Sequence, residues 1–313
     1  MKIKYLVVIL LTGHCFGGDL SNKYLKLIER KNEISTTEIK KLVGNRTIVF
    51  IPGILSETVI EDSSQIVNFS YLMGDYFKEQ LNWCATEKIK CQRIILESEA
   101  SVDVNSLQLR KSLSDITGEL IVISHSKGGL EFLNVLLNDD DIRLRTHAWI
   151  AMQSPFKGAV ATEIFLDNKI LKKGVEWLFS FLGGSSGGVQ SISVKDREGY
   201  IKLNTKMIEE KLRDKKFLQY GSYIKDEEGV ETILGFTRDY IMERKGNNDG
   251  LVELSSTTLN VGDFVHEEGV DHLLPVLNLK RLKRVTPFVS NNKNWNLNRA
   301  KMLKNLLYMV LND

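Results

Sequence analysis

The stretch Glu119-Leu-Ile-Val-Ile-Ser-His-Ser-Lys-Gly-Gly-Leu130 constrains this chain more than any other. Leu120 to Ile123 is a short apolar run that reads as a strand buried on both faces. It breaks at Ser124-His-Ser-Lys-Gly-Gly129, and Leu130 to Leu137 then has the length and residue types of a helix. Small residues on either side of the apex let such a helix fold back tightly on its strand while the central serine sits in a strained turn. The usual spacing is G-x-S-x-G. Here Ser124 stands for the first glycine, Gly128 holds the second position and Gly129 extends it. Ser126 is therefore a candidate nucleophile, provided that the chain supplies a base and an acid to serve it.

The other elements alternate in type. A β-branched run, Thr47 to Ile51, ends in Pro52-Gly53, and further strands are expected at Gln92–Glu97, Thr146–Gln153, Glu231–Thr237 and Thr258–Val265. Between them lie helix-like stretches, including residues 20–43, 66–83 and Asn105–Ile116, with Arg299–Leu311 closing the chain. Strand alternating with helix predicts an α/β fold with a mostly parallel sheet covered on both faces. Residues 160–225 depart from this rhythm. An apolar segment carrying Phe165, Trp177, Phe179 and Phe181 runs into Gly183-Gly-Ser-Ser-Gly-Gly188, which reads as an inserted helical cap or lid.

The first eighteen residues stand apart. Lys2 and Lys4 precede the short apolar core Tyr5 to Leu11, and small residues follow through Gly17 and Gly18. That pattern predicts a signal peptide over 1–18, a catalytic domain over 19–313 and a secreted or periplasmic protein. Lipid anchoring through Cys15 is the lesser alternative, because His14 fits a lipobox poorly. Beyond the leader only Cys84 and Cys91 remain, and in an oxidising compartment they most simply form a disulfide; two unrelated buried thiols are the other reading. A net charge of +2 with interspersed signs argues against nucleic-acid binding. No spacing suggests a metal site, no motif calls for a cofactor, and nothing indicates an oligomeric state.

Five histidines allow the base to be chosen by elimination. His14 lies in the leader, and His125 adjoins the serine with its side chain directed elsewhere. His147 enters a strand at the end opposite to a site built on the strands' carboxyl ends. His272, in a loop beyond the last strand, is favoured, with His266 in reserve. The acid should fall between serine and histidine. Asp249, in the polar turn Asn247-Asn-Asp-Gly250, is the choice, and Asp239 is the alternative. Backbone amides of Lys127 and Ile54 are the expected oxyanion donors.

Val49-Phe-Ile-Pro-Gly-Ile54, Val122-Ile-Ser-His-Ser-Lys-Gly-Gly129, Gln153-Ser-Pro-Phe-Lys-Gly158 and Asn248-Asp-Gly-Leu-Val252, followed by His272, occur in an order that resembles the α/β-hydrolase superfamily, in particular secreted bacterial lipases and esterases. The resemblance covers about residues 45–280 and does not settle 160–225. It implies the α/β-hydrolase fold, a Ser126–Asp249–His272 triad, and acyl transfer to a small-molecule or lipid ester, with the lid touching a lipid surface. Departures are Ser124 for glycine, Phe156 where histidine is frequent, and a single glycine in the oxyanion loop. Some such lipases hold calcium, but this sequence presents no ligand set for it. An acyltransferase, a thioesterase or a deacylase of lipid-linked glycans on the same scaffold would share these residues, whereas a non-catalytic binding protein on it, the other alternative, would be expected to lose triad members.

Overall fold

The computed structural model describes residues 17–54, 75–97, 100–166, 186–225, 227, 232–279 and 296–312. The expected leader with Cys15, the run Ile66 to Met73, and Trp177, Phe179 and Phe181 lie outside the described residues.

Six strands form one sheet: β1 (Thr47–Ile51), β2 (Cys91–Arg93), β3 (Leu120–His125), β4 (Thr146–Met152), β5 (Lys216–Tyr223) and β6 (Asp263–Glu268). They lie in the order β2-β1-β3-β4-β5-β6, and every neighbouring pair is parallel. Parallel neighbours require crossovers, and these are made by helices packed on the two faces. The alternation of side chains along each strand divides the core. Ile48, Phe50, Ile121, Ile123, Ile150 and Leu218 face one layer, formed by α1 (Ser21–Ile28), α2 (Thr36–Val43), α3 (Lys78–Glu87) and, at the carboxyl end of the chain, the helix Arg299–Leu311. Val49, Ile51, Val122, Trp149 and Phe217 face the other layer. It is built by α4 (Val102–Ser114), α5 (Lys127–Asn138), α6 (Asp140–Arg145) and the long helix Val194–Leu212. Two short helices, α7 (Ala161–Leu166) and α8 (Ser186–Gln190), precede that long helix, which is α9; α10 (Gly235–Lys245) follows β5, and α11 is Arg299–Leu311.

The sheet corrects the expected strands in its second half. Residues 216–223, assigned to the insertion, are the fifth strand. Their Gln219, Gly221 and Ser222 disguise a buried strand, yet each is accommodated. Gln219 donates to the Val261 carbonyl (2.9 Å) and accepts from the Leu259 amide (2.5 Å). A side chain at Gly221 would meet Thr257, and Ser222 accepts from Gln153 (2.6 Å). The strand expected at Glu231–Thr237 is, from Thr232 on, a turn leading into α10, with the Thr232 hydroxyl accepting from the Leu234 amide (3.2 Å) just before the helix. The last strand begins at Asp263, five residues later than its apolar run suggested, because Leu259 and Val261 fill the core from a loop.

Gly18 to Leu20 run along the outer side of β6. Asp19 bridges Phe264 in parallel register, Leu20 donates to Phe264 (2.8 Å), and Phe264 donates to Gly18 (3.0 Å). This blunts the open edge of β6. At the other edge, Cys84 of α3 and Cys91 of β2 are joined by a disulfide with a Cα–Cα distance of 6.1 Å. The bridge fastens α3 to an edge strand of three residues. Loop-closure entropy for so short a loop corresponds to about 2–3 kcal/mol. Replacing both cysteines with alanine is expected to lower unfolding free energy by that amount, read as a shift in the urea midpoint.

Candidate active site

At the end of β3 the backbone turns through Ser126, whose φ of 54° and ψ of −129° are unusual for any residue but glycine. Three glycines permit the turn. A Cβ on Gly53 would lie 2.7 Å from Ser126 Cβ, one on Gly128 would lie 2.7 Å from the Ile51 carbonyl oxygen, and one on Gly129 would lie 2.7 Å from Ser154 Cβ. The first turn of α5 therefore rests directly on the backbone of β1 and the loop after it, at the spacing the sequence motif requires. The serine at position 124 has its own explanation: its buried hydroxyl accepts from the indole Nε1 of Trp149 at 2.9 Å.

Asp249 and His272 meet at this end of the sheet. Asp249 Oδ2 accepts from His272 Nδ1 at 2.8 Å, with the carboxylate fully buried. Its other oxygen accepts from the amides of Leu251 (3.0 Å) and Val252 (2.8 Å), and the His272 amide donates back to the Asp249 carbonyl (2.9 Å). The carboxylate thus has fixed partners on both oxygens, and the imidazole keeps its proton on Nδ1, leaving Nε2 as the basic atom. Ser126 and His272 line one cavity together with Ile54, Tyr76, Pro155, Ala159, Leu251, Val252 and Leu273. Ala161 and Thr162 of α7, Val189 of α8 and Ile192 complete its wall. The cavity holds about 540 Å³ of empty space including its mouth, and its lining is mostly apolar.

The remaining expected residues are placed as follows. Lys127 opens α5, so its amide lies at the start of a helix. Its side chain is buried against Glu131 (3.3 Å) and donates to the Ala100 carbonyl. Burial pushes the Glu131 carboxyl up to about 7, opposed by Lys127 and by Asn105. Ile54 follows β1 and reaches the cavity. Phe165 falls within α7. The reserve residues are elsewhere: His266 lies on β6, with its amide bound by Ser21 Oγ, and Asp239 is an exposed residue of α10 paired with Arg238 (2.6 Å).

Two residues of the site were not singled out by the sequence. Tyr76, expected inside a helix, precedes α3 and lines the cavity. Gln153, just past β4, has a φ of 50° and no solvent exposure. Both bond to His125, which is fully buried. Burial, with His272 nearby, holds the His125 imidazole well below its ordinary pKa. Only an alignment or the fold itself reveals such partners, because they lie 49 and 28 residues away from His125.

No protein-family model matches the sequence, and no curated protein matches it. Solved structures do share its architecture. A metagenomic carboxyl esterase superposes with a TM-score of 0.66 at 16% identity, covering 89% of this chain and 77% of its own. The mature form of a Bacillus licheniformis lipase gives a TM-score of 0.58 at 18% identity, covering 73% and 85%. Lipase 1 from Pelosinus fermentans gives 0.50 at 11%, covering 85% and 98%. With the parallel six-stranded sheet and its helical layers, these similarities identify the fold as that of the α/β hydrolases.

The Ser124–Trp149 bond yields a test of why this elbow departs from glycine. Ser124→Gly restores the common motif but strips a buried indole N–H of its acceptor, and is expected to cost about 1–3 kcal/mol of stability. Activity of the folded fraction should remain. In chemical denaturation, Ser124→Gly should have little further effect in a Trp149→Phe background.

Proposed function

We propose that the protein is a serine hydrolase of carboxylic esters, with Ser126 as nucleophile, His272 as general base and Asp249 as the group that orients it. The observation that supports this best is convergence: a serine held in a strained elbow and a histidine paired at 2.8 Å with a buried aspartate face the same apolar cavity. The fold shared with esterases and lipases agrees with it.

His272 Nε2 takes the Ser126 proton as Oγ attacks the ester carbonyl. The resulting oxyanion accepts from the Lys127 amide at the helix start and from the Ile54 amide, each donor contributing roughly 3–4 kcal/mol to the transition state. The imidazolium, steadied by Asp249, protonates the leaving alkoxide. Water then enters by the same base and releases the acid. The cavity wall of Ala159, Val189, Ile192, Leu251 and Val252 selects an apolar acyl chain over a charged one. Ala161 and Thr162 of α7 and Val189 of α8 line the site, which favours a cap suited to lipid esters. Export through the leader is in keeping with the Cys84–Cys91 disulfide.

A fluorophosphonate probe should label the wild-type protein and leave Ser126→Ala unlabelled; absence of wild-type labelling, beside a control hydrolase that reacts, would sink the reading. On p-nitrophenyl esters of graded chain length, Asp249→Asn is expected to reduce kcat by about 10³- to 10⁴-fold, since the amide cannot hold the reactive tautomer. Asp239→Asn should turn over like wild type.

A further inference from the structure

His125 sits beneath the site rather than in it, and its surroundings assign every proton around it. Its Nε2 lies 3.0 Å from the His272 carbonyl oxygen, which can only accept, so Nε2 carries hydrogen. The same atom lies 2.9 Å from Gln153 Oε1. The orientation of Gln153 is fixed in turn, because its Nε2 donates to the Asp271 carbonyl (3.1 Å) and to Ser222 Oγ (2.6 Å). Buried and neutral, His125 must then accept at Nδ1, and the donor there is the Tyr76 hydroxyl at 2.9 Å. The Gly53 backbone beside the Tyr76 hydroxyl partly offsets the rise in its pKa that burial causes. Protons thus run in one direction from Tyr76, through His125, to the carbonyl of His272 and the side chain of Gln153. The rings of His125 and His272 are also in contact, with centroids 4.7 Å apart.

Each link binds a different part of the site. Tyr76 lines the cavity together with Ile54, whose N–H belongs to the loop after β1. His272 is gripped by its carbonyl and by its ring. Gln153 holds the Asp271 carbonyl from a backbone conformation with φ of 50°, a strained geometry that persists only where surrounding contacts enforce it. Tyr76 lines the cavity beside Ser126, yet its proton is committed to His125, so it has none to offer an oxyanion.

We propose that Tyr76, His125 and Gln153 form a directed, buried hydrogen-bond chain that holds the catalytic histidine in register with the elbow and with the oxyanion loop beside Tyr76, making Tyr76 and His125 positioning residues for the ester hydrolysis. The inference rests on the triad reading above. It assigns these residues an effect on the transition state and not on substrate affinity, because the chain orients groups that act as charge develops on the carbonyl oxygen.

Tyr76→Phe tests it with the least disturbance, since the ring and its packing on Phe77 remain and only one hydroxyl is lost. Misplacement of reacting groups by such a change is expected to lower kcat on a p-nitrophenyl ester by about ten- to a hundredfold. KM should stay within about twofold, and affinity for phenylboronic acid, which forms a tetrahedral adduct on the serine, should weaken by the same factor as kcat. Measurements well below the melting temperature separate this from unfolding. Gln153→Glu, which retains the acceptor for His125 but lacks the amide donor, should show the same kcat-selective loss. Wild-type kcat and boronate affinity in a folded Tyr76→Phe protein would overturn the inference while leaving the triad intact. So would a change confined to KM. Failure of the wild type to react with the fluorophosphonate would overturn the triad reading and this inference together.

Discussion

The backbone of Ser126 is the constraint on which the site depends. Its positive φ turns the chain from β3 into α5 within one residue, so the side chain stands at the carboxyl edge of the sheet. Such a conformation costs of order 1–3 kcal/mol and survives only if neighbours hold it. They do so from three sides. Gly128 lets the helix lie on the Ile51 carbonyl, Gly53 lets the next loop lie on Ser126 itself, and the Ser126 amide donates to Met152 of β4 (2.9 Å). The strain is local; its support comes from β1, the loop after it and β4.

The same economy of space governs the polar groups beneath it. A fully buried histidine, a fully buried glutamine and a fully buried aspartate would each be costly alone. Here each group's remaining atoms are matched to backbone groups whose chemistry leaves no choice of donor or acceptor. His272 is consequently held through its amide, carbonyl, ring and Nδ1, and only Nε2 is left over. In the proposed reaction this preorganises the general base, its freedom being removed except at the atom that would react.

Much of this was legible in the chain. Apolar runs of four to six residues located β1, β3 and β4, since a strand buried on both faces has little room for polar side chains. The pairing of Asp249 with His272 followed from order along the chain, because parallel strands deliver their following loops to one edge of the sheet. Where the pattern failed, a tertiary contact had replaced it. The strand Lys216–Tyr223 carries glutamine, glycine and serine because Leu259, Val261, Thr257 and Gln153 supply partners or need the space. The stretch after Glu231 looked like a strand and is a turn and helix, with the Thr232 hydroxyl satisfying the Leu234 amide locally.

By itself the sequence determined the elbow, the order of its partners and the two-faced sheet, all of which are read from spacing and hydrophobic period within short windows. The tertiary structure alone decided which strand flanks β4, why Ser124 serves where glycine is usual, and which groups His125 binds. Those answers rest on contacts between residues far apart in sequence. Tyr76 and Gln153 carry no local pattern that distinguishes them from an ordinary core tyrosine and a strand-end glutamine. Only folding brings their atoms within hydrogen-bond reach of the histidine between them, and only there do the geometry of carbonyls and the exclusion of water fix the direction of every proton.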